Sequence, residues 1–306
     1  MPHLAPAARH TERRLPPLGL TPPGVAADVN GQVQKWSWPY PNAQEALVAA
    51  PFTGVGVALA TIFDDRGEVD AKATAGLAAS LVEAGIKAIV VAGSTGEASA
   101  LDGGERALLL DEVKAAVPAD IPVLAGVGAP SARQAVVLTR TACEHGADGF
   151  LALSPPRVAD PLPYYNALAA YLAAAEVTRP LLAYHFPAVS APGIAADRLD
   201  ALPVDGIKDS SGDPERMLVE LEKAGDRAVY CGSAPLLAFA GPMGCTGAIL
   251  ALANAEPELC IAAFEGDASA QRRLTRAHLA AQRDFPHGLK ALIAERFGTS
   301  VTARLN

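Results

Sequence analysis

Gly54-Val55-Gly56-Val57-Ala58-Leu59-Ala60-Thr61-Ile62-Phe63 is a short apolar run that leads, without a GxGxxG turn, into an Ala-rich amphipathic stretch at 70–84. A doubly wound open sheet expects that glycine turn behind its first strand, so its absence favours a closed sheet. The same unit recurs along the chain. Apolar runs at 54–61, 88–92, 122–126, 149–153, 180–184, 204–208, 228–231 and 246–251 alternate with helical patterns at 70–84, 102–117, 131–145, 161–174, 195–202, 214–223, 234–240 and 256–265. Strand-sized runs separated by helices give a parallel sheet, and eight such units predict an α/β fold, a (β/α)8 barrel. Asp, Ser or Pro opens several of the helices, and Gly85, Gly146 and Gly225 stop three of them.

Outside the repeated units, two further helices are expected near 267–283 and 287–297. Residues 1–51 carry nine of the 25 prolines and both tryptophans, with no sustained period of 2 or 3.6. They read as an irregular N-terminal extension, in which Trp36 and Trp38 either anchor a strap against the barrel or a neighbouring subunit, or belong to a flexible leader. The organisation expected is therefore an extension at 1–51, a barrel at 52–266 and C-terminal helices at 267–306.

Composition narrows the partners. The chain has 306 residues, half of them hydrophobic, and a net charge of −8 without any basic cluster. That balance argues against nucleic acid or an anionic membrane surface and leaves small molecules. No apolar run reaches the roughly 18 residues that span a bilayer, and no export signal opens the chain, so a cytoplasmic protein is expected. Cys143, Cys231, Cys245 and Cys260 form no CxxC pair and have no histidine at ligand spacing, so neither a zinc site nor a disulfide framework is expected.

In a parallel barrel the chemistry sits at the C-terminal ends of the strands. The sixth run ends in Gly206-Ile207-Lys208-Asp209-Ser210-Ser211-Gly212. An ordinary lysine is a poor nucleophile, with about one molecule in 2,500 neutral at pH 7. Desolvation at a barrel mouth favours the neutral amine, as Schiff-base lysines require. The competing reading is a snorkelling lysine whose stem covers the core edge. The second run ends in Gly93-Ser94-Thr95-Gly96-Glu97, two hydroxyls and free backbone N–H groups suited to a carboxylate, or else a turn that caps the next helix. Tyr184, in Tyr184-His185-Phe186-Pro187, is either a phenolic proton donor or a core tyrosine, while His185 alternates away toward the barrel wall.

Gly93-Ser94-Thr95-Gly96-Glu97, Tyr184-x-x-Pro187 and Gly206-Ile207-Lys208-Asp209, in that order and spacing, resemble the dihydrodipicolinate synthase and N-acetylneuraminate lyase family from about residue 54 to 300. The resemblance implies a TIM barrel, a homotetramer or dimer, that binds pyruvate or a pyruvate-bearing 2-oxo acid as a Schiff base, with no metal or other cofactor. Lys208 would form the imine, Tyr184 would shuttle the proton, and Ser94 and Thr95, with Gly96, would hold the carboxylate. Ile249, in Gly247-Ala248-Ile249, aligns with a position lining the pyruvate pocket, and Ser233 falls at the mouth after the seventh strand.

Departures set the subtype. The synthases carry an arginine after Tyr-x-x-Pro, where this chain has Ala188-Val189-Ser190, which counts against lysine biosynthesis. Pro187-Ala188-Val189-Ser190 looks closer to the lyases, while Gly232-Ser233-Ala234 and Leu250-Ala251-Leu252-Ala253-Asn254 resemble 4-hydroxy-2-oxoglutarate aldolases, the preferred comparison. The tyrosine pair that family members carry after the fourth strand is replaced by Pro156-Arg157, so the usual hydroxyl relay is incomplete unless another hydroxyl substitutes. Arg157 can meet a distal substrate carboxylate or lie in solvent. Pro163-Tyr164-Tyr165-Asn166 resembles the lost pair but falls two helical turns too late and is expected to open the fourth helix. The expectation is a class I aldolase or lyase acting on a short 2-oxo-4-hydroxy acid, with an aldehyde as second partner. A synthase or dehydratase using the same imine, a non-catalytic 2-oxo acid binding barrel and a sugar-phosphate barrel are the rivals.

Overall fold

The computed structural model describes residues 50–305, so the proline-rich stretch with Trp36 and Trp38 lies outside them except for residues 50 and 51. Eight parallel strands close in sequence order: β1 (Gly54–Ala58), β2 (Ile89–Val91), β3 (Val123–Gly126), β4 (Gly149–Leu153), β5 (Leu181–His185), β6 (Gly206–Asp209), β7 (Ala228–Cys231) and β8 (Gly247–Leu250). The seam is β1 against β8, in register from Gly54 opposite Gly247 to Val57 opposite Leu250. Each apolar run of the sequence contains one strand. The runs are continuous rather than alternating because both faces are covered. Val55, Val57, Ile89, Val91, Ile207 and Val229 point outward into the helix layer, while Ala58, Val90, Leu124, Leu151, Leu182 and Ile249 point inward.

Helices α1 (Ala71–Glu83), α2 (Gly103–Ala116), α3 (Ala132–Glu144), α4 (Leu162–Ala174), α5 (Pro214–Ala224), α6 (Leu237–Ala240) and α7 (Pro257–Phe264) surround the strands. Polar side chains start several of them, as the sequence implied. Asp70 accepts from the Ala73 amide, Ser131 from that of Gln134, and Asp102 forms a reciprocal capping box with Glu105. The helix expected at 195–202 is instead a 3-10 run over Ala196–Ala201. Leu202 precedes Pro203, whose ring bars the α conformation there, and Leu202 is extended (φ −81°, ψ 136°). The helix expected at 234–240 is likewise a 3-10 turn, Ala234–Leu236, followed by the single turn of α6. Two helices, α8 (Ala268–Gln282) and α9 (His287–Phe297), follow the barrel, and the tail beyond them returns to the end of β2.

The N-terminal end of the barrel is closed by an aromatic pair. Phe52 stacks on Tyr230 with centroids 4.6 Å apart, and the Tyr230 hydroxyl donates to the Phe52 carbonyl at 2.7 Å. The Phe52 ring occupies the space a side chain at Gly56 would need, since a Cβ there would lie 2.8 Å from Phe52 Cζ. The opposite end is left to the strand termini and their loops.

Candidate active site

Strand alternation sorts β6 into two roles. Lys208 points inward and Asp209 outward, and the register sets Lys208 between Tyr184 of β5 and Tyr230 of β7. Lys208 is only 4 % exposed, and its Nζ lies 4.2 Å from the centroid of the Tyr184 ring. No described residue forms a salt bridge with it. Lys290, the other buried lysine, is fully engaged, its Nζ donating to the Thr302 carbonyl at 2.6 Å and pairing with Glu97 at 2.6 Å. The amine of Lys208 is thus the one kept available at the barrel interior.

Tyr184 is stacked on Phe186 at 5.9 Å, which fixes its ring, and its hydroxyl accepts a hydrogen bond from Ser210 Oγ at 3.3 Å. Ser210 stands two residues after Lys208 and so shares its side of the chain. The Ser210 hydroxyl also lies 3.4 Å from the Gly232 carbonyl, an alternative acceptor. Glycine at 232 makes this possible: a Cβ there would come within 2.0 Å of Ser210 Oγ and 3.1 Å of Lys208 Cε. The sequence reading missed Ser210, although i+2 spacing from the lysine was the signal that carried it.

The turn after β2 is tight and tied down. The Glu97 amide donates to the Ser94 carbonyl at 3.1 Å and the Ala98 amide to that of Gly93 at 3.2 Å. Thr61 Oγ1, beyond β1, donates to the Gly96 carbonyl at 2.7 Å. Thr95 and Gly96 are buried and Ser94 half-buried at the mouth. Ile249 is fully buried in the interior cluster that contains Tyr184, and Ser233 lies half-buried at the rim after β7. The structure therefore joins Lys208, Tyr184 and Ile249 inside the barrel and sets Ser94, Thr95, Gly96 and Ser233 at the same mouth. Arg157 is exposed; its backbone amide donates to the Ala191 carbonyl at 2.7 Å, and no side-chain contact ties it to the other residues.

Tyr164 and Tyr165 open α4, as their position in the sequence implied. The Tyr164 hydroxyl accepts from the Ala129 amide at 3.2 Å and Tyr165 donates to the Ala152 carbonyl at 3.0 Å. Both belong to the outer core, where burial pushes the Tyr164 hydroxyl up to about 12, so neither replaces the missing tyrosine pair.

Behind β6 lies a buried charge cluster. Asp209 accepts from Arg216 Nε at 2.5 Å and from the Ser211 amide. Burial raises its pKa, but the Ser211 hydrogen bonds and the Arg216 charge outweigh this and hold it below the ordinary carboxylate value. Glu220 on α5 is 0 % exposed, with Arg216 Nη2 2.7 Å from Oε1 and the Asp209 carboxyl beside it. Burial and then the negative charge of Asp209 push it up to about 9. One guanidinium faces two carboxyls, so the second keeps its proton. His185 lies on this outer side too, its Nδ1 accepting from the Ile194 amide at 2.9 Å; burial and then Arg216 lower its pKa to about 4.

Eight parallel strands closed in sequence order, with helices outside and a buried lysine beside a tyrosine at the interior, put the chain in the (β/α)8 barrel class. The model of the dihydrodipicolinate synthetase family matches residues 51–300, and the chain belongs to that family. It is 34 % identical over 238 residues to the 4-hydroxy-tetrahydrodipicolinate synthase of Pseudomonas aeruginosa, covering 72 % of this chain and 78 % of that one. The probable 2-dehydro-3-deoxy-D-pentonate aldolase YjhH of Escherichia coli K12 is 30 % identical over 244 residues, covering 74 % and 79 %. Among solved structures, YagE of E. coli K12 in complex with pyruvate superposes with a TM-score of 0.76 at 26 % identity, covering 83 % of this chain and 92 % of that one. The chloride-inhibited dihydrodipicolinate synthase of Acinetobacter baumannii, also with pyruvate, gives 0.73 at 29 % identity, covering 80 % and 89 %. The protein is accordingly a carbon–carbon lyase of the class I aldolase type.

Among the described residues no helix is long and apolar enough to cross a membrane, and no group of His, Cys, Asp and Glu could hold a metal ion. All four cysteines are free and buried.

Proposed function

We propose that the protein forms a Schiff base between Lys208 and the 2-oxo group of pyruvate, and that it makes or breaks the C3–C4 bond of a short 2-oxo-4-hydroxy acid. The observation that carries this reading is the Lys208 amine 4.2 Å from the Tyr184 ring centroid, with Ser210 hydrogen-bonded to the phenol. In the cleavage direction the amine adds to the C2 carbonyl and water leaves, giving a protonated imine. Tyr184 gives its phenolic proton to the departing hydroxyl, and the resulting phenolate then accepts the proton of the C4 hydroxyl as the C3–C4 bond breaks. The bonding pair moves to the imine and leaves an enamine, while C4 departs as the aldehyde. Protonation at C3 and hydrolysis of the imine return pyruvate and free Lys208. Condensation is the reverse sequence.

Ser94, Thr95 and Gly96 hold the 2-oxo acid carboxylate in this reading. The buried turn and its Thr61 tie support a pre-formed site. Ser233 and Ile249 line the remaining wall. Ser210 supplies the hydroxyl neighbour that the missing tyrosine pair would otherwise give Tyr184.

Two observations favour the aldolase substrate over the synthase one. The segment after Pro187 presents Val189, 54 % exposed, and a buried Ser190 that bonds the Ser154 carbonyl, with no cation for a second carboxylate. The pentonate aldolase named above acts, by its name, on a 3-deoxy-2-oxo acid with a hydroxyl at C4. A 4-hydroxy-2-oxoglutarate-like dicarboxylate fits the same chemistry if Arg157 turns its guanidinium to the distal carboxylate. A homotetramer or dimer is proposed on the family resemblance, to be measured by light scattering.

Intact-mass spectrometry after incubation with pyruvate and borohydride tests the central claim. A reduced pyruvyl adduct on the native protein that vanishes in Lys208→Ala is the expected result. No adduct on the native protein would overturn it.

A further inference from the structure

Glu97 closes the Gly93-Ser94-Thr95-Gly96 turn, yet its side chain points away from the barrel mouth and is 0 % exposed. A buried carboxylate costs several kcal/mol unless donors surround it, so its partners show what it is for. Oε1 is 2.6 Å from Lys290 Nζ on α9. Oε2 accepts two main-chain hydrogen bonds, from the Arg304 amide at 2.7 Å and the Leu305 amide at 2.8 Å. The Arg304 side chain fastens the same tail elsewhere, donating to the carbonyls of Gly67 and Ala100 and to both oxygens of Glu105. Lys290 and Arg304 both lie over the fully buried ring of Phe63, at 4.4 and 4.7 Å.

Glu97 itself is in the left-handed region at φ 56°, a conformation that costs an ordinary residue about 1–2 kcal/mol. Something must hold it there, and the donors that do so come from the other end of the chain. Arg304 and Leu305 lie beyond residue 300, where the family match ends.

We propose that Glu97 is a positioning residue for the carboxylate-binding turn, and that the last residues of the chain set that turn through the Arg304 and Leu305 amides. The inference rests on the reading of Ser94, Thr95 and Gly96 as the pyruvate carboxylate site. With the clamp intact, the strained Glu97 backbone keeps the three preceding residues in their binding geometry. Without it the turn relaxes and pyruvate is held less tightly, while Lys208 and Tyr184, on β6 and β5, keep their places.

The test is borohydride trapping over a range of pyruvate concentrations, which yields a half-saturating concentration and a limiting rate separately. It compares the full chain, a chain ending at residue 303, Arg304→Ala and Glu97→Gln, with melting followed by circular dichroism. The truncated chain and Glu97→Gln are expected to raise half-saturation roughly tenfold, equivalent to about 1.4 kcal/mol. Their limiting rate should stay within about a factor of two. Arg304→Ala, which keeps both amides, should give a smaller rise than the truncation. If the truncated chain does not fold, Glu97→Gln decides alone. Unchanged half-saturation in a full chain that traps pyruvate would overturn the proposal, and so would a fall in limiting rate and melting temperature without a rise in half-saturation. Failure of the full chain to trap pyruvate would instead overturn the reading of the site on which it rests.

Discussion

Replacing Glu220 by glutamine should flatten part of the dependence of stability on pH, and the size of that effect follows from the burial of one carboxyl. Glu220 is 0 % exposed, held between the Asp209 carboxylate and Arg216, whose Nη2 is 2.7 Å from Oε1. Its pKa is raised from an ordinary 4.5 to about 9, by burial first and by Asp209 second. Between those two values the folded protein holds a proton that the unfolded chain has released. The stability linked to this proton is fully present below pH 4.5 and is lost as pH rises toward 9. The slope is one proton, about 1.4 kcal/mol per pH unit. It does not depend on the exact folded value so long as that stays above the range measured. From pH 7 to 8 is the clean window. His185, lowered to about 4, and the buried thiols, raised to about 11 or higher, titrate alike in both proteins and cancel in the difference between them.

Urea unfolding of the native protein and of Glu220→Gln at pH 7 and 8 makes the comparison. Glutamine mimics the protonated acid in shape and cannot ionise, so the gap between variant and native protein should move by about 1.4 kcal/mol in the variant's favour over that unit. Parallel pH profiles would refute the reasoning. A constant loss of several kcal/mol on substitution would mean that the carboxyl is ionised and that Arg216 needs its charge.

Ser210→Ala should lower kcat for release of pyruvate from a 2-oxo-4-hydroxy acid by about tenfold to a hundredfold with KM nearly unchanged, and an unaltered kcat would remove Ser210 from the proton path. Gly232→Ala places a methyl group 2.0 Å from Ser210 Oγ, 2.8 Å from the Asp209 carbonyl oxygen and 3.1 Å from Lys208 Cε, so imine trapping should fall more than tenfold and the melting temperature should fall with it. Trapping at the native rate would show that the mouth yields freely. Arg157→Ala should raise KM for dicarboxylic 2-oxo acids and leave KM for monocarboxylic ones alone; equal KM for both would retire the arginine as a substrate contact.

The barrel was legible because each strand is buried on both faces and five of the described helices start with a side-chain cap, so composition and spacing agreed along most of the chain. The inward placement of Lys208 and Tyr184 was legible because inward positions at strand ends follow from a period of two, and Ile249 entered through the family resemblance alone. The departures have local causes. Pro203 could have shown that the 195–202 segment would not close as an α-helix. Glu220 sits with Met217 and Ala224 on the buried face of α5 while Leu218 and Val219 face outward, 47 % and 36 % exposed, an inversion no apolar count can anticipate. The clamp on Glu97 joins residues 207 and 208 positions apart in the chain, and such long-range pairings leave no local signature.

The stacked Phe52 and Tyr230 carry a kinetic consequence. With one end of the barrel closed by aromatic rings, traffic shares a single doorway at the strand termini. If Lys208 carries the covalent fragment as proposed, that fragment sits deeper than the aldehyde in the cleavage direction, so the aldehyde must leave first and pyruvate last. In condensation the aldehyde cannot pass an empty lysine and wait below. Initial-rate plots should therefore show parallel lines or an obligatory order with pyruvate first, an order set by the closed end of the barrel.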